Sequence, residues 1–88
     1  MKTGIEFITE ERTEQIERGF TPEHDSKYKN GELKKAAAFV ITKDPYHFPA
    51  TWSEEWFHKL QNKKGIEALK VAGALIAAEI DRLEKQNG

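Results

Sequence analysis

The 88-residue chain has no cysteine. That excludes the disulfide staples and thiolate zinc sites that hold many very small folds together, and leaves His, Asp and Glu as the only candidate metal ligands. It has no long apolar run: the longest is Val71 to Ala78, far short of the ~20 residues a membrane span needs, so no membrane partner is expected. It lacks a leader-like opening, because Glu6, Glu10 and Glu11 stand where an apolar stretch would be required, and the expected location is the cytoplasm of a bacterial host. It also lacks a basic excess. The net charge is -1 and the pI about 6.3, which argues against nucleic acid as a partner.

What is present is a polar but foldable chain, 38% hydrophobic and 33% charged, with nine aromatic residues. Its length fits one domain, residues 1-88. A globule of 10.1 kDa is expected to expose roughly 5,300 Å² and to bury only about 64% of its unfolded surface, so a homo-oligomer is expected. The charge is segregated: residues 1-26 carry three basic and seven acidic side chains, and 27-43 carry five basic and one acidic. Such blocks pair within a protomer or across an interface, or sit as solvated helix faces.

Proline, glycine and asparagine punctuation divides the chain into helical stretches, an all-α bundle of three or four helices. The first runs from Thr3 or Gly4 to Arg18, closed by Gly19, with Ile5, Ile8 and Ile16 as an inward stripe and Glu11, Arg12 and Gln15 in the middle of it. Thr21-Pro22 can open a short helix. Asn30 reads as the N-cap of the next one, whose inward set is Leu33, Ala36, Ala37 and Val40 and which ends near Thr42, before Pro45. Thr51 to Glu54 fits a capping box for a short third helix carrying Trp52, Trp56 and Leu60 on one face. After Gly65 comes a helix of about twenty residues. Its Ile66, Leu69, Gly73, Ile76, Ile80 and Leu83 are spaced 3, 4, 3, 4, 3, a seam suited to antiparallel or dimeric packing, and this helix is expected at a subunit interface.

Several constellations bear on chemistry. Glu11, Arg12 and Gln15 share a core-facing stripe, and a buried charge needs a partner. Arg12 either pairs with Glu32 or Glu79 to fix helix register, or presents its fork to a phosphate or carboxylate. His24-Asp25 sets a histidine beside a carboxylate. The stretch from Tyr46 to Trp52, continued by Trp56, Phe57 and His58, concentrates most of the aromatics. Such density suits a small core over a long loop, a stacked nucleobase, or a protein anchor. Glu10, Glu11 and Glu14 repeat at helical spacing, as Mg²⁺-binding carboxylates do in helical nucleotide hydrolases. This pattern resembles the first motif of MazG-like nucleotide pyrophosphohydrolases. That family's second motif is Glu-x-x-Asp, whereas Glu79 and Asp81 stand one residue closer, which separates them by about 200° around a helix.

Across nearly its whole length the chain resembles a family of small helical proteins encoded in phages and prophages. The resemblance rests on Gly4-Ile5 to Ile8, Glu10-Glu11-Arg12 with Gln15-Ile16, Gly19-Phe20-Thr21, Glu23-His24-Asp25, Gly31-Glu32-Leu33 with Ala36-Ala37, and Ala72 to Ile80. It implies a phage or mobile-element context and carries no activity with it. The expected function is therefore a non-enzymatic binding protein for a small anionic, nucleotide-like ligand or a host protein, through Glu11, Arg12, Gln15, His24, Asp25, Trp52 and Trp56, without a cofactor. The alternatives are a reduced MazG-like hydrolase with Mg²⁺ on Glu10, Glu11, Glu14 and Glu79, and a purely structural oligomer.

Overall fold

The structure is a computed structural model and describes residues 1-87. Those residues form an all-α fold of five helices, α1 (Gly4–Glu17), α2 (Pro22–Asp25), α3 (Glu32–Thr42), α4 (Glu54–Gln61) and α5 (Gly65–Asn87), with a 3-10 turn at Pro45–His47 before α4. α5, about 35 Å long at 1.5 Å per residue, is the spine against which α1, α2 and α3 pack.

Helix α1 opens with a reciprocal cap. The Thr3 hydroxyl accepts from the Glu6 amide while the Glu6 carboxylate accepts from the Thr3 amide, which satisfies two otherwise orphaned donors. It closes where Gly19 takes φ +104° and the Phe20 amide donates back to Gln15 O. The expected inward stripe of isoleucines fails here. Ile5 is 78% exposed and Ile16 is exposed, and of the three only Ile8 is half-buried. The reason is angular. Ile5 and Ile16 lie roughly 60-80° around the helix from Ile8, and the line that faces inward instead carries Glu11, Arg12 and Gln15, all buried. Ile8 rests on Gly73 so closely that a Cβ there would come within 2.5 Å of its Cδ1.

Helix α3 is capped by Gly31 in the left-handed region, φ +79°, not by Asn30. Asn30 instead donates its amide to the Glu32 carboxylate at 2.7 Å. Leu33, Ala36, Ala37 and Val40 are buried as expected, and so is Phe39. At its end Lys43 adopts φ +62° and reaches across so that Nζ donates to the carbonyls of Leu60 and Lys63, capping the C-terminus of α4. The N-cap of α4 is Ser53, whose hydroxyl accepts from the Trp56 amide. The Thr51 box does not form, because a turn from Pro49 O to the Trp52 amide holds the preceding residues outside the helix. The main core lies between α3, α4 and α5. Alanines 36, 37, 68, 72 and 78 bring the helices close, and Phe39 stacks near Phe48 and Phe57, with ring centroids 5.2 and 4.9 Å away. On its opposite side α5 leaves Ile66, Leu69, Ile76, Ile80 and Leu83 exposed.

Candidate functional site

Where α1 and α4 diverge over α5, the chain leaves a cavity of about 730 Å³, within the size range of small-molecule sites. Its base is apolar, formed by Leu33, Leu60, Val71 and Leu75. One side is a continuous row of rings. Tyr28 lies 5.4 Å from Trp52, Trp52 is 6.1 Å from Trp56, and Trp56 is 5.7 Å from Phe20, centroid to centroid. Two helical devices put the tryptophans there: the turn before α4 holds Trp52, and the first turn of α4 presents Trp56 four residues on. The facing side is the polar line of α1, and the mouth carries Arg18, Lys59, Lys63 and Lys70.

The polar line is built around Arg12. Its Nη1 donates to Phe20 O at 3.0 Å and its Nη2 to Asp81 at 3.2 Å, with the Asp25 carboxylate 3.8 Å from the same nitrogen. Asp25 is only 1% exposed. Its other oxygen lies 3.1 Å from His24 Nδ1, and the His24 ring makes edge contacts with Phe20 and Tyr28. The expected pairing of Arg12 with Glu32 or Glu79 is therefore wrong. Glu79 is three residues from Arg82 on the same helix and accepts from it twice, at 2.7 and 3.1 Å. Glu32 is committed to the Asn30 amide. Beside Arg12, Gln15 donates to Glu11 at 3.4 Å, and Arg18 approaches the same carboxylate.

Six of the seven expected ligand residues thus line one cavity: Glu11, Arg12, Gln15, Asp25, Trp52 and Trp56. His24 stands behind Asp25. The aromatic segment divides, with Phe48 and Phe57 entering the core, the tryptophans lining the cavity, and Tyr46 exposed. The alternative magnesium set is dispersed: Glu10 pairs with Lys2 at 2.6 Å, Glu14 stands at the mouth, and Glu79 holds Arg82. Among the described residues no group of three or more His, Asp or Glu is placed to hold a metal.

Electrostatically the lining carries six cationic side chains and four carboxylates in a chain whose net charge is -1. The hydrogen bond that Lys70 donates to the Glu67 carboxylate, helped by the charges of Glu67, Glu11 and Glu14, holds the Lys70 ammonium above its ordinary range. Burial, with Asp25 and Glu32 nearby, pushes the Tyr28 phenol up. Three buried side-chain polar atoms lack a hydrogen-bond partner among the described residues: Arg12 Nε, Asp25 Oδ2 and Trp52 Nε1. All three belong to residues of this cavity.

Phe20, Tyr28 and the lysines of the mouth were not singled out as site residues from sequence. Trp56, Lys59 and Lys63 follow one another at helical spacing and were the available signal for the mouth, whereas Phe20 reaches the cavity only through the Gly19 turn. Comparison with protein-family models, curated proteins and solved structures returns no match for the chain. Among the described residues no helix is long and apolar enough to cross a membrane.

Proposed function

We propose that this chain is a non-enzymatic binding protein that holds a small anionic, nucleotide-like molecule in the cavity between α1, α4 and α5, in a phage or mobile-element setting. The observation that carries the reading is that Arg12, Asp25 and Trp52, each with a buried side-chain polar atom that makes no hydrogen bond, all line this one cavity. An orphaned buried donor costs about 1-3 kcal/mol, and a ligand acceptor met by Trp52 Nε1 or Arg12 Nε after a side-chain shift would recover that, whereas Asp25 Oδ2 already faces Arg12 Nη2 at 3.8 Å. A heterocyclic base has such edges, and the row of four rings offers it stacking worth about 1-3 kcal/mol per base. The cations at the mouth suit a phosphate or carboxylate.

The test is native mass spectrometry of freshly purified protein, followed by fluorescence titration of the tryptophans with a panel of nucleotides and nucleosides. A retained or titratable nucleotide-like mass, recovered chemically intact, is expected. Trp52→Phe, which keeps the ring but removes the donor, should weaken binding about tenfold, and Lys59→Ala with Lys63→Ala should weaken nucleotides more than nucleosides. Products formed only with Mg²⁺, and lost in Glu11→Gln, would replace this reading with the hydrolase. An unresponsive cavity would refute both.

A further inference from the structure

The exposed face of α5 is independent of the cavity, being on the opposite side of the same helix. Ile66, Leu69, Ile76, Ile80 and Leu83 are each 43-63% exposed, although they are large apolar residues on one line of a single helix. Gly73 continues the line, and Ile8 of α1 lies over it, so the apolar surface is unbroken at the middle. We infer that this face is covered by a second copy of the chain, packed α5 against α5 in antiparallel fashion about a two-fold axis.

Three observations select that occupant. First, the spacing 3, 4, 3, 4, 3 reads the same from both ends. A two-fold axis between Ala74 and Leu75 therefore sets Ile66 opposite the partner's Leu83, Leu69 opposite the partner's Ile80, and Gly73 with Ile8 opposite the partner's Ile76. An isologous dimer requires a patch that can be its own complement in this way. Second, the five side chains expose roughly 500 Å² per copy. Two copies that covered these side chains completely would bury about 1,000 Å² before any flanking residue is counted, the threshold for a specific interface. Third, the chain exposes 5833 Å², more than the roughly 5,300 Å² expected of a monomer of its mass. Antiparallel pairing also opposes the two helix macrodipoles, which a parallel pair would align.

Sedimentation velocity and light scattering should give twice 10.1 kDa for the wild type. Ile80→Glu and Leu69→Glu should each give the monomer with unchanged far-UV helicity, since neither side chain is buried within the protomer. Because the chain has no cysteine, cross-linking fixes the register. Leu69→Cys/Ile80→Cys should form a disulfide-linked dimer under mild oxidation, while each single variant should not. The two positions are roughly 16 Å apart along one helix, too far to bridge within a protomer. A wild type that stays monomeric throughout its soluble range overturns the inference and leaves the face to a different protein or a lipid surface. An unchanged dimer in both glutamate variants, or a Leu69→Cys single variant that links as well as the double, overturns it too.

Discussion

The two long seams on α5 are built from opposite materials. Against α3 the helix offers alanines to Phe39 and Val40, a dry contact, with Val71 and Leu75 running from it into the base of the cavity. Against α1 it offers Ala and Gly flanked by Asp81 and Lys70 to a line of Glu11, Arg12 and Gln15. The first seam specifies itself by shape and apolar area, and tolerates no gap. The second holds through charge-assisted hydrogen bonds and leaves polar atoms partly unpaired, the condition under which a small molecule can take part in the packing. The cavity opens along this second seam.

The largest effect should come from the dry seam. Phe39 is fully buried and touches two further rings, so Phe39→Ala should cost about 3-5 kcal/mol, measured by urea denaturation. A loss below 1 kcal/mol would show that the α3 to α5 contact is not the part that sustains the fold.

Arg12→Ala should follow, at about 3 kcal/mol, because it strands the Asp25 carboxylate in the interior; Asp81, half-exposed, can turn to water. Arg12→Met should also destabilise. Arg12→Met/Asp25→Leu should be closer to wild type than either single variant, since replacing both charges makes the polar seam resemble the dry one. Strict additivity in that cycle would mean that the 3.8 Å approach of Arg12 to Asp25 carries no coupling. The double variant should retain the proposed dimer while losing the proposed ligand, which separates the two sides of α5.

The dry seam was largely legible in the sequence: Leu33, Ala36, Ala37 and Val40 follow helical periodicity, and nothing competes with it. The burial of Glu11, Arg12 and Gln15 was also expected, although the isoleucine stripe that suggested it is itself mostly exposed. Their partners were not. Arg12 reaches Phe20 O and Asp25 only because Gly19 turns the chain back on itself, and Glu79, equally suitable by sign, is claimed locally by Arg82. The exposure of Ile5 and Ile16 escaped for a related reason: periodicity shows which residues share a face, and the partner decides which face is chosen. The caps at Gly31 and Ser53 displaced those at Asn30 and Thr51 because turn geometry outside the helix, a positive φ in one case and the turn after Pro49 in the other, fixes where a helix can begin.

Tyr28 joins the two regions, packing against the core while its ring lines the cavity, and it supplies the finest comparison. Burial comes first among the causes that raise its ionisation above the ordinary value of 10.0, followed by the nearby charges of Asp25 and Glu32. Below pH 10 the phenol is neutral in both folded and unfolded chains and contributes no pH dependence. Above it the unfolded chain loses the proton first, so the unfolded state gains and stability falls until the folded phenol ionises as well. Thermal melts from about pH 9 to about pH 11 should therefore decline more steeply for the wild type than for Tyr28→Phe, with the lysines titrating alike in both. Identical slopes would mean that the ring is wetter than its packing against Trp52 implies. A steeper wild-type slope that disappears when the cavity ligand is bound would place the phenol at the ligand's edge, on the polar side of the comparison rather than the dry one.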